Sequence, residues 1–149
     1  MDKDFLLQQP IFSLGIDLGK REWGSETLIH LAEGKWSMKK LFIKAGCKGG
    51  LQYHRLKNEA SFLVKGKLII RFYSGERIVE KILNEGESVH FPPHCIHQEE
   101  AISDCILIEI STPHKNDRVR VEEEFNIKDL RGLPSTEKKD IEEIKLENL

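Results

Sequence analysis

The spacing of a few polar side chains between glycines constrains this chain most. From Gly46 the sequence reads G-x5-Q-x-H-x4-E-x6-G and closes at Gly66; from Gly86 it reads G-x5-P-x-H-x2-H and closes at His97. Residues two apart on a strand share a face, so Gln52 and His54 point the same way. Glu59, Ser61 and Leu63 then share one face of the next strand, and Ala60, Phe62 and Val64 the other. Gln52, His54, Glu59 and His97 together offer two imidazoles and oxygen donors, a set suited to one divalent transition metal such as Zn, Mn, Fe, Ni or Co. Each segment reads as strand-turn-strand, and a small β-barrel brings the two together.

The rest of the chain reads in the same way. Thr27–Leu31, Met38–Lys44, Glu59–Lys65, Leu68–Tyr73, Arg77–Leu83, Ser88–Phe91 and Cys105–Ile110 are short and rich in Ile, Leu, Val and Phe. Turn chemistry separates them at Ser74-Gly75, Asn84-Glu85-Gly86 and Pro92-Pro93. No helical period appears before residue 120. The expectation is an all-β jelly-roll barrel. Its boundaries are an N-terminal arm at 1–22, a barrel at 23–127 and a charged tail at 128–149, where Ile141, Ile144 and Leu149 allow a short solvated helix. The apolar face at Ala60, Phe62 and Val64 needs cover from another sheet or a second subunit, so a homodimer is expected.

Charge narrows the partners. A formal net charge of −2 with pI about 6.3 argues against a nucleic-acid or anionic-membrane surface, which takes a basic excess. No apolar run approaches the ~20 residues of a membrane helix. The opening MDKDFLLQQP has acids and no apolar stretch of the signal-peptide kind. Three cysteines read as reduced thiols, so a cytoplasmic location is expected.

The two glycine-bounded runs resemble the two-part motif of the cupin superfamily, with Gln52 at its first histidine, His94 at its second-run glycine and Ala101 at its asparagine. Over about 100 of the 149 residues, from Trp23 to Phe125, the chain further resembles the isomerase domain of type II mannose-6-phosphate isomerases, the domain often fused to mannose-1-phosphate guanylyltransferase. Trp23-Gly24 matches the end of that family's P-W-G element. Gly50-Leu51-Gln52-Tyr53-His54-Arg55 matches its S-L-Q-x-H-x-H-R region, with Leu56 at the second histidine and Lys57 at the arginine. Ile108-Glu109 matches I-E, and Lys115 to Arg120 stands at E-D-D-I-V-R. The resemblance implies a metal on Gln52, His54, Glu59 and His97, and a substrate phosphate on Arg120.

Other residues admit two readings. His94 could act as acid or base at the barrel mouth, or be a tolerated turn residue. Glu109 interrupts an apolar run, so it either faces the cavity beside a cation or lies on an open face. Arg118 and Arg120 could bind phosphate or form a solvated cluster with Glu122 to Glu124. Cys47 and Cys95 read as small apolar residues rather than ligands, and Cys105 as core. The resulting expectation is a metal-dependent enzyme acting on a sugar phosphate or nucleotide-linked sugar by isomerisation or epimerisation. Glu109 or His94 would move the proton, and Arg120, Lys57 and Arg55 would anchor phosphate. A non-catalytic sugar- or effector-binding barrel and an Fe(II)-dependent dioxygenase are the alternatives.

Overall fold

A computed structural model describes residues 8–114 and 117–128. The strands are β1 (Ile16–Arg21), β2 (Gly24–Ala32), β3 (Trp36–Ile43), β4 (Gln52–His54), β5 (Glu59–Lys65), β6 (Lys67–Tyr73), β7 (Ile78–Asn84), β8 (Ser88–Phe91), β9 (His97–Ala101), β10 (Cys105–Ser111) and β11 (Arg118–Arg120). They form two antiparallel sheets, ordered β1-β2-β3-β10-β5-β8 and β11-β4-β9-β6-β7. No helix occurs among the described residues. The seven strand segments anticipated from sequence all fall within or across observed strands. The end of the arm, Ile16–Arg21, pairs with β2. Of the charged tail, residues 129–149 lie outside the described residues.

The register explains why one half of the barrel is dry and the other wet. Across β3, β10 and β5 the inward rows run Leu41–Leu107–Leu63, then Lys39–Glu109–Ser61, then Ser37–Ser111–Glu59. Each strand passes from apolar to polar along its inner face. The apolar end joins Leu41, Ile43, Leu63, Leu68, Ile70, Leu83, Phe91, Ala101, Cys105 and Leu107 in one core. Leu63, Leu68, Cys105 and Leu107 are fully buried there, worth about 1.5–3 kcal/mol for each leucine. The polar end holds the site.

Strand alternation on β5 is as the pattern demanded. Glu59, Ser61 and Leu63 are buried, while Phe62 is 45% and Val64 46% exposed. Among the described residues that outer face is left about half exposed at these two positions. Close approach fixes Gly66: a Cβ there would stand 2.4 Å from the Asp104 carbonyl oxygen, at a φ of +102°.

Candidate metal centre

Three buried side chains meet at the polar end. His54 ends β4, Glu59 opens β5 and His97 opens β9; they are 4%, 6% and 3% exposed. His54 Nε2 lies 3.1 Å and His97 Nε2 3.3 Å from the same oxygen, Glu59 Oε1. One ligand atom from each residue falls within 4.8 Å of the others, a geometry that could hold a metal ion. Gln52 lies directly opposite His97 in the β4–β9 pairing and lines the same cavity.

The outer nitrogens are also occupied. His97 Nδ1–H donates to the Cys95 carbonyl at 2.9 Å, and His54 Nδ1 lies 3.3 Å from the Asp117 carbonyl. Carbonyl partners at Nδ1 fix the tautomer that presents Nε2, the usual outer-shell arrangement of a ligating histidine. The His97 ring also stacks on Phe91, centroids 3.9 Å apart and planes 10° apart, which sets its orientation.

Lys57 sits inside the cavity. Its ammonium bonds Glu59 Oε2 and lies 3.2 Å from Glu109 Oε1. Burial pushes the lysine pKa down, but Glu109 and Glu59 outweigh it and hold it above its ordinary value. Burial pushes Glu59 up, but Lys57 and the two imidazoles hold it well below the usual carboxylate range. Burial likewise lowers His97, yet its bonds to Cys95 and Glu59 raise it to about 10. Without a metal, protons and an ammonium occupy the charge balance a cation would share.

Asp117 holds the turn that carries this lysine. Its carboxylate, 3% exposed, accepts the backbone N–H groups of Arg55 at 3.2 Å and of Leu56 and Lys57 at 2.6 Å each. The segment between His54 and Glu59 is therefore wrapped around a fixed charge. Glu122 plays a parallel part: only 2% exposed, it accepts Leu51 N–H at 3.0 Å and Arg120 Nε–H at 2.8 Å. It is not part of a solvated cluster.

The cavity measures about 120 Å³ and is lined by charge. Gln52, His54, Glu59, His97, Lys57 and Glu109 all line it, so the structure brings together the four expected ligands, one expected base and one expected substrate contact. His94, Arg55 and Arg120 are not among the lining residues. His94 takes φ 67°, the left-handed conformation for which glycine is the easy occupant, and its backbone N–H donates to the His54 carbonyl at 2.7 Å. Arg55 meets Asp117 through its backbone. Arg120 is held by Glu122. Cys95 contributes its carbonyl to His97 and packs on the core, and Cys47 packs there too. Sequence reasoning missed Glu26, Lys39 and Glu99, and left Arg118 as half of a basic pair; all four line the cavity. The available signal was alternation, since Glu99 lies two residues beyond His97 and Arg118 two before Arg120.

Two facing antiparallel sheets with a histidine-carboxylate cluster inside the polar end make this a cupin fold. Solved structures agree. CapF, a capsular polysaccharide assembling protein from Staphylococcus aureus, is 23% identical over 72% of this chain, with a TM-score of 0.63; this chain spans 34% of its length, about a third. An RmlC-like cupin from Shewanella frigidimarina is 22% identical over 74% of this chain and 96% of its own, with a TM-score of 0.58. Oxalate decarboxylase from Bacillus subtilis is 14% identical over 84% of this chain and 39% of its own, with a TM-score of 0.64. No protein-family model matches the chain, and no curated protein matches it. No helix among the described residues is long and apolar enough to cross a membrane.

Proposed function

We propose that this chain is a metal-dependent cupin enzyme acting on a small sugar derivative, a sugar phosphate or nucleotide-linked sugar, by aldose–ketose isomerisation or epimerisation. One observation carries the reading: the Glu109–Lys57 pair stands beside the His54, Glu59 and His97 cluster inside one polar cavity. His54, Glu59 and His97, with Gln52, would hold the ion. Bound there, a divalent ion supplies Lewis acidity toward adjacent sugar oxygens. Glu109 would take a proton from the carbon next to the carbonyl and, for an isomerisation, return it to the neighbouring carbon; for an epimerisation the returning proton would come from a donor, such as water, on the opposite face. Lys57 lies 3.2 Å from Glu109 Oε1 and so fixes where that carboxylate stands in the cavity. Glu109 is favoured over His94 for this role because it lines the cavity.

Turnover of a panel of sugar phosphates and nucleotide sugars by Mn(II)- and Zn(II)-loaded protein tests the proposal. Solvent deuterium should enter the substrate at one carbon, and Glu109→Gln should abolish it. Binding without exchange would identify a sugar-binding barrel; oxygen consumption with Fe(II) would identify a dioxygenase.

The same reading includes a homodimer. Phe62 and Val64 on β5 and Ile110 on β10 are each about half exposed on one sheet face, in a register that puts Ile110 opposite Ala60. Sedimentation should show a dimer at micromolar concentration that Phe62→Glu dissociates; a monomeric wild-type chain would remove this part.

A further inference from the structure

Arg118 stands directly opposite His54 in the β11–β4 pairing and lines the cavity. Among the described residues its guanidinium has no hydrogen bond and no ion pair. The acids that could serve it are engaged elsewhere. Glu26 is 2.6 Å from Lys39, Glu109 is 3.2 Å from Lys57, and Glu59 serves both histidines and Lys57. Burial pushes the Arg118 guanidinium below its ordinary pKa, although Glu59, Glu109 and Glu26 act on it from a distance. A desolvated guanidinium without a partner is costly, and its planar fork matches a carboxylate or phosphate.

A second group in the cavity lacks a partner. Glu99 Oε1 is buried without any hydrogen-bond partner. Among the described residues no hydrogen bond or ion pair joins Glu99 to Arg118, so the two groups do not answer each other. Four carboxylates (Glu26, Glu59, Glu99 and Glu109) face three cations (Lys39, Lys57 and Arg118) around the cavity. A divalent ion reverses that balance and leaves room for an anion.

We propose that Arg118 anchors an anionic group, a carboxylate or a phosphate, of the molecule that occupies the cavity, and that Glu99 meets a hydroxyl of the same molecule. The proposal rests on the cavity being a ligand site, as inferred above. It moves anion recognition from Arg120, which Glu122 already engages, to the residue two positions earlier, on the wall beside His54.

Trp23 lines the cavity and reports occupancy by its fluorescence. Mannose, mannuronate, mannose 6-phosphate, acetate and inorganic phosphate are titrated into wild type, Arg118→Gln and Arg118→Lys. Each protein is taken metal-free and Mn(II)-loaded, and its metal content is measured in parallel. At least one anionic probe should bind wild type more tightly than mannose does. Arg118→Gln should weaken it by about ten- to a hundredfold and leave mannose unchanged. Arg118→Lys, which keeps the charge and loses the fork, should fall between. Preference for mannuronate assigns a carboxylate, and preference for mannose 6-phosphate assigns a phosphate. If no anionic probe outbinds mannose, or if Arg118→Gln binds the anions as wild type does, the proposal is overturned. Wild type without metal would instead fail the metal-centre reading, while the metal-free titrations still decide the role of Arg118.

Discussion

The carboxylate of Asp117 receives the backbone N–H of Lys57 at 2.6 Å, from 60 residues further along the chain. That contact sets the turn between His54 and Glu59, and its carbonyl also faces His54 Nδ1. Asp117→Asn keeps the size but turns an acceptor into an amide donor facing N–H groups. We predict about 1–3 kcal/mol of lost stability and a roughly ten- to a hundredfold loss of metal affinity, with the fold retained. Thermal unfolding and metal titration check it. Unchanged metal affinity would show that the turn does not support the ligands.

Much of this was legible in the sequence, and what was not has physical causes. Glycine-bounded spacing found His54, Glu59 and His97, because spacing survives when neighbours change. Apolar alternation found β2, β3, the strands from β5 to β8, and β10. It missed β9, whose His97-Gln98-Glu99-Glu100-Ala101 has low strand propensity and is a strand because its polar inner face lines the cavity. It missed β1 as well, where Gly19 at φ 95° lies in the irregular stretch between Asp17 and Lys20. Lys57 was expected at the mouth, but Asp117 draws its turn inward, a contact that no local pattern encodes. Arg120 was expected at a phosphate because a family motif marks it; buried Glu122 could not be told from its solvated neighbours by composition.

Lys57 competes with a metal for Glu59. We predict that Lys57→Met lowers the stability of the metal-free protein by about 3–5 kcal/mol, since it leaves Glu59 and Glu109 buried without their ammonium. The same variant should bind a divalent ion more tightly than wild type. Denaturant unfolding of metal-free protein and calorimetric metal titration measure the two effects. Weakened metal binding would mean that Lys57 supports the centre.

Proton competition gives a pH dependence. His97 in the metal-free protein titrates at about 10, so a proton must leave when an ion binds below that pH. Each unit of rising pH removes up to about a tenfold share of that competition, so apparent affinity should climb between about pH 6 and pH 8. Binding near neutral pH should release about one proton. For metal-free stability the signs are opposite. His97, raised on folding, contributes fully below about pH 6.5 and loses its contribution toward 10. Glu59, lowered on folding, contributes above about pH 4.3 and loses its contribution as the pH falls further. Calorimetry in buffers of differing ionisation enthalpy counts the protons, and unfolding across pH tests the window.

His54, Glu59 and His97 are proposed to hold one metal ion. Equilibrium dialysis against Mn(II), Fe(II), Co(II), Ni(II) and Zn(II), followed by elemental analysis, measures it directly. The structure predicts about one ion per chain for wild type with at least one of these metals, and loss of most of it in His97→Ala. No bound ion with any of the five, or undiminished binding in His97→Ala, would contradict the claim.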